Sequence, residues 1–406
     1  MDRRAFLAGG GVAVGALLAL GGRTGGVFAA NRNGARVDAR MSVSGEGSEA
    51  VREVKSATTT FGSDKYGRAI VIDAQGVIGD PDPTATLESA PSQRLLSDLH
   101  ASGLTAVSVT LSVGSTGDRM MLALRKIAIF DEKVAAAPLA LMRIRRAADL
   151  YTAKSTRRLG LIYNLQDSSL LENDLARVVV LQELGVRVMQ LTYNTRNLVG
   201  DGCLEQANAG LSNLGRELVA QLGRQRIVMD LSHSGQRTIA EGIALATRPP
   251  VISHTGCRNL TEKPRNVYDT ELRALADKGG VAGIYFMPFL SASGPAHSAD
   301  LIRHLEHAVN VCGEDHVGIG TDGGIAAVEL NDAYRQEQRQ EYEKRVAQGI
   351  AAPGETADSY DFILEYNEPA RYRHLADDLA ARGWSAGRIE KVLGLNFSRV
   401  FTEVWG

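Results

Sequence analysis

The chain has 406 residues, 44% of them apolar and 23% charged, with a formal net charge of −2. That is enough for one large core or two domains, and the near-neutral charge removes the electrostatic case for nucleic acid as a partner. The three cysteines, Cys203, Cys257 and Cys312, are too sparse for a disulfide framework or a zinc ribbon and read as buried free thiols.

The first residues read as an export signal. Arg3 and Arg4 precede Phe6 and Leu7, a Gly/Ala-rich apolar run follows, and Val27-Phe28-Ala29 precedes Ala30 as a small-residue cleavage site. Residues 1–30 are therefore predicted to be a twin-arginine-type signal peptide, leaving a periplasmic or otherwise exported protein. The run is too short and glycine-rich to span a bilayer well, and no stable membrane span is expected after cleavage. Residues 31–65, rich in Gly, Ser, Thr, Ala and charge, read as a flexible linker.

From there to residue 406 the pattern is regular. Short apolar runs at 69–73, 104–111, 159–165, 186–193, 226–233, 250–254, 280–287 and 316–322 read as buried strands. Stretches with apolar residues three and four apart, ending at glycine, separate most of them and read as helices. Strands alternating with helices in this number predict an α/β fold, a (β/α)8 TIM barrel, over 66–406. An open doubly wound sheet would want a glycine-rich phosphate turn after the first strand, and DAQGVIGDPDP is not one. The charged stretch 331–349 suits a solvated helix, and its place after the last strand also allows a lid.

In such a barrel the chemistry sits where strands end. The fifth run ends in DLSH with His233, the sixth in ISH with His254, and the eighth in TDGG with Asp322. Two histidines on neighbouring strand ends with an aspartate across the mouth predict a polar site. His304 and His307 share a helix and are expected to face solvent or the barrel wall. His297 and His374 show no partner in the sequence.

The segments LTYNTRN, DLSHSG, ISHTGCR, KPRNVYD and DHVGIGTDGG, in this order, resemble the membrane (renal) dipeptidase family of metallopeptidases, and the resemblance runs from about residue 69 to the C-terminal helix. It implies a TIM barrel that hydrolyses dipeptides with two zinc ions. One ion would be held by a His-x-Asp pair after the first strand and the other by two histidines after the fifth and sixth, with a bridging glutamate after the third. By that resemblance His233 and His254 are the histidine pair, Asp322 is the catalytic aspartate, and Arg265 grips the substrate carboxylate. Tyr193 stands where the family often has an oxyanion-stabilising histidine, with Asn194 beside it as a further substrate contact.

Three ligand positions are lost. Gln75 and Val77 occupy the His-x-Asp positions, and Gln166 occupies that of the bridging glutamate. Two divalent ions about 4 Å apart repel by roughly 16 kcal/mol at an effective dielectric of 20, and the carboxylates that offset this are gone. The sequence therefore predicts Zn2+ at one ion per chain at most, on His233 and His254, with weak hydrolysis of ordinary dipeptides. Two readings stay open: a single-metal hydrolase of dipeptides or related small amides, and a catalytically inactive barrel that binds a small carboxylate-containing ligand. The sequence also leaves a homodimer open.

Overall fold

The computed structural model describes residues 59–113, 117–347, 349, 351–353 and 355–406. The predicted signal peptide and most of the linker lie outside these residues. Among the described residues ten parallel strands follow one another: β1 (Ile72–Val77), β2 (Ala106–Thr110), β3 (Leu141–Arg143), β4 (Leu159–Leu165), β5 (Val186–Gln190), β6 (Val228–Asp230), β7 (Val251–Thr255), β8 (Val281–Ile284), β9 (Val317–Ile319) and β10 (Gly323–Gly324). Their hydrogen-bonded order is β10-β1-β2-β4-β5-β6-β7-β8-β9, with β3 added outside β4.

The eighth predicted strand is thus split. β9 pairs with β8, the chain turns through Thr321 and Asp322, and β10 pairs with β1 and joins the two ends of the sheet. The (β/α)8 TIM barrel expected from the alternating runs is the fold of this chain. β3 escaped the sequence reading because three residues, Leu-Met-Arg, carry no periodicity.

Ile72, Ala74, Ala106, Ile162, Val188, Val228, Val251 and Val281 form one apolar cluster with Phe397, Val400, Phe401 and Val404 of the C-terminal helix Asn396–Trp405. This helix closes one end of the barrel with hydrocarbon. Only the other end, where the strands stop, is left to polar side chains.

Two expectations need correcting. The packed structure begins before residue 66: Phe61 is buried, its N–H bonds to Asp377, and the helix Ser63–Arg68 buries Tyr66. A short helix on a buried aromatic does not show in composition. His304 does not face solvent. It is fully buried, its Nδ1 accepts from the Cys257 N–H at 2.9 Å, and its Nε2 donates to the Leu290 carbonyl at 3.0 Å. Burial lowers its pKa to about 4, so it is a neutral staple between a helix and the loop after β7. His297 and His374, without partners in the sequence, sit on Glu365 and Glu368.

The barrel is locked at its seam by Asp73. Its carboxylate accepts from the Thr321 N–H, the Thr321 hydroxyl, the Tyr372 hydroxyl and the Gln75 N–H. Burial pushes its pKa up to about 6, the donated bonds opposing. Asp73→Ala leaves buried donors without an acceptor and is expected to lower stability by about 3 kcal/mol. Urea denaturation reads this as a lower midpoint at unchanged slope, and a shift below about 1 kcal/mol would show that water replaces the carboxylate.

Candidate metal and carboxylate site at the barrel mouth

Asn194, His233 and Asp322 have positive φ, at 33°, 61° and 57°. This conformation costs an L-residue roughly 1–2 kcal/mol, and such strain gathers at sites where direction matters. At Asp322 the turn follows from the seam, since its N–H donates to the Gln75 carbonyl at 2.8 Å just after Thr321 is fixed on Asp73. At His233 it swings the ring back over the mouth toward β7.

The two histidines are wired from behind. Asp230, at the end of β6, accepts from the Ser232 hydroxyl at 2.8 Å and the Ser253 hydroxyl at 2.6 Å. With its hydrogen on Asp230, Ser253 Oγ accepts from His254 Nδ1 at 2.8 Å. On the other ring, His233 Nδ1 donates to Asn194 Oδ1 at 2.6 Å. Both Nδ1 atoms therefore carry the hydrogen, and both Nε2 atoms present lone pairs, 2.9 Å apart. Burial first, and then the charge of Arg265, hold both rings well below the ordinary histidine pKa of 6.5, so both stay neutral. Two lone pairs facing each other repel, and a shared cation removes that repulsion. Outer partners that fix tautomers in this way are the usual support of metal-binding histidines.

Asp322 Oδ2 stands 3.9 Å from His254 Nε2. Burial pushes its carboxyl up to about 7, with Arg265 opposing and Asp361 reinforcing. Arg265 is itself buried, and its Nη2 has no hydrogen-bond partner among the described residues. Pairing with Asp269, the structural alternative for this arginine, does not occur: Asp269 binds His307 at 2.7 Å and reaches Arg273 at 3.7 Å. The Arg265 loop is pinned by its neighbours. Thr255 Oγ1 donates to the Arg265 carbonyl, and Asn266 donates to the carbonyls of Thr261 and Phe289. Tyr193 completes the group, its ring stacked on His233 with centroids 4.0 Å apart.

Gln75 and Val77 do not join this group. Gln75 donates to Thr110 Oγ1 at 2.8 Å and accepts from Asn164 Nδ2 at 3.0 Å, so its amide is engaged inside the barrel. Val77 offers only its backbone, accepting from the Ile325 N–H. The backbone carbonyl of Gln166 is taken by Gln190 Nε2 at 2.6 Å.

His233 and His254 would hold a cation through their Nε2 atoms, and Asp322 is the nearest carboxylate. Two zinc–nitrogen bonds of about 2.0–2.1 Å at a tetrahedral angle separate the nitrogens by about 3.4 Å, a small opening from the observed gap. Among the described residues no three of His, Cys, Asp and Glu form a ready-made metal cluster. Water or substrate must complete the shell.

Sequence reasoning missed Asp230 and Ser253. They lie in DLSH and ISH, within three residues of the histidines, and a search for tautomer-setting partners finds them there.

The sequence model of the membrane dipeptidase family (peptidase family M19) matches residues 84–338. An uncharacterized protein of Klebsiella pneumoniae is 25% identical over 300 residues, covering 71% of this chain and 98% of that protein. The dipeptidase tcpJ of Claviceps purpurea is 26% identical over 230 residues, covering 55% of this chain and 46% of that protein. Among solved structures, an amidohydrolase from Pseudomonas aeruginosa superposes with a TM-score of 0.72 at 31% identity, covering 84% of this chain and 98% of that chain. The family match over most of the barrel, on a mouth that keeps the histidine pair, the aspartate and the arginine, places this chain in the membrane dipeptidase family of metallopeptidases.

Proposed function

We propose that this chain hydrolyses small amides bearing a carboxylate next to the scissile bond, dipeptides among them, with a single divalent ion. The observation that carries this reading is Arg265: a buried guanidinium with an unpartnered Nη2, close enough to His233, His254 and Asp322 for its charge to act on each. A buried donor left without an acceptor is costly, and a planar fork suits a carboxylate.

His233 and His254 would hold the ion through Nε2. When bound, it supplies a water of lowered pKa and polarises the amide carbonyl. Arg265 fixes the substrate by its carboxylate. Asp322, with a pKa near 7, is poised to take the water's proton and return it to the leaving nitrogen. Tyr193 presents its hydroxyl on the histidine side, where a carbonyl oxygen gathers charge. The Arg3-Arg4 leader supports action outside the cytoplasm.

The test is hydrolysis of a panel of L,L and L,D dipeptides and N-acyl amino acids by chelator-treated protein with zinc added back. Asp322→Asn is expected to lower kcat by about 10²–10³-fold. No turnover of any substrate, alongside calorimetric binding of a small carboxylate, would leave the inactive binding barrel instead.

A further inference from the structure

Across the mouth from Arg265 stands a second cation. With β9 and β10 taken as one split strand the sheet is a ring, and β2 lies four places from β7 in either direction. Arg265 comes from the loop after β7, so the end of β2 faces it. That end is Thr110. Lys126 Nζ donates to its carbonyl at 3.3 Å, and its hydroxyl accepts from Gln75 Nε2 at 2.8 Å. The Gln75 carbonyl accepts from the Asp322 N–H at 2.8 Å. Short links thus join the Lys126 ammonium to the turn that carries Asp322.

Lys126 is half-buried on the helix Arg119–Ala136, and Arg119, seven residues earlier, lies on the same face two turns away. An ammonium has three donors. Among the described residues Lys126 uses one, on a neutral carbonyl, and has no ion pair. Burial first, and then the charge of Arg119, lowers its pKa to about 8, which leaves it mostly charged at pH 7. The carboxylates that follow β1 and β4 are engaged: Asp80 accepts from the Ser92 N–H and hydroxyl, and Asp167 from the Ser169 N–H and Asn197 Nδ2. Asp73 is held in the seam, and Asp322 turns to His254. Gln75, Val77 and Gln166, on the same strand ends, carry no charge. This side of the mouth therefore has a counter-charge for an anion and none for an ammonium.

We infer that Lys126 forms an anion subsite for the acyl side of the substrate, so that amides with a carboxylate at each end, N-carboxyacyl amino acids, are preferred over dipeptides with a free ammonium. Arg265 takes the carboxylate next to the scissile bond, and Lys126 takes the one on the acyl group. The inference rests on the hydrolase reading above and names the acyl half of its substrate.

The probes are three N-acyl alanines of similar length: N-succinyl-L-alanine with an anionic end, N-pentanoyl-L-alanine with a neutral one, and N-(4-aminobutanoyl)-L-alanine with a cationic one. In the parent, kcat/KM is expected to fall in that order, by about 10-fold or more at each step. Lys126→Met should bring the three within about 3-fold of one another, and Lys126→Glu should reverse the order. Arg125→Gln, on the exposed neighbour that pairs with Glu88, should leave the order unchanged. Binding of the same compounds to chelator-treated protein, read by calorimetry, should follow the same order without turnover.

A lysine that only supports the Thr110 carbonyl would lower all three substrates alike in Lys126→Met. That result, an unchanged order in Lys126→Glu, or a parent that prefers the cationic end would overturn the inference and leave the hydrolase reading intact. Ordered binding that Lys126→Met abolishes, with no turnover of any compound or dipeptide, would support the subsite and overturn the hydrolase reading. A parent that neither binds nor hydrolyses these compounds or the dipeptide panel would overturn both. If Lys126→Met does not fold by circular dichroism, Lys126→Gln carries the same comparison.

Discussion

Replacing His233 or His254 by alanine is expected to reduce hydrolysis by on the order of 10⁴-fold or more and bound metal from one ion per chain to none. The reason is the wiring behind the rings. Asp230 and Ser253 turn His254, and Asn194 turns His233, so that both Nε2 lone pairs meet at one point. Removing either ring halves the protein's nitrogen donors, and neither Gln75 nor Val77 can take its place. Ser253→Ala and Asn194→Ala leave the rings present but less well aimed, and should cost about 10–100-fold in metal affinity. Elemental analysis and an equilibrium zinc competition read both effects. Two tightly held ions per chain in the parent would refute the single-site account.

The same wiring sets the pH dependence. Both histidines are held well below 6.5. Protons therefore compete with the metal only below that pH, and zinc should be retained as the solution passes down through 6.5. The sign for the metal-free fold is opposite in consequence. Below 6.5 the unfolded chain binds protons that the buried rings exclude, so this contribution to stability is present above 6.5 and lost as pH falls.

Arg265→Met is expected to raise KM for substrates with a free carboxylate by about 10²–10³-fold, the scale of truncating one partner of a buried charged pair. Substrates capped as the C-terminal amide should be turned over equally, and equally poorly, by parent and variant. Arg265→Lys keeps the charge but loses the planar fork, and should recover only part of the binding. The substitution has a second effect. Arg265 lowers the pKa of Asp322 and of both histidines, so its loss should raise all three. The pH profile of kcat/KM then moves to higher pH. An unchanged KM for free and capped substrates alike would place carboxylate recognition elsewhere.

The sequence carried the barrel because buried parallel strands read as apolar runs and the helices between them keep their period. It carried the histidine pair, Asp322 and Arg265 because each sits at a strand end or in a short motif. What it hid depends on contacts between distant segments. The destination of the Gln75 amide is set by Thr110 and Asn164 on two other strands, and no local pattern announces it. The seam formed by Asp73, Thr321 and Tyr372 joins residues about 250 and 300 positions apart. Arg345 lies in a run whose composition says solvent, yet its guanidinium is forked onto Glu355 beyond the run.

The amide network has a consequence for how this site can change. Gln75 holds Thr110 and Asn164, Asn164 also holds Ser108 at 2.6 Å, and Asn164 Oδ1 already lacks a partner among the described residues. A histidine at Gln75 takes the partner from the buried Asn164 and the half-buried Thr110. A single substitution of Gln75 toward a metal ligand therefore breaks this network before it gains anything, and the network resists change at that position one residue at a time.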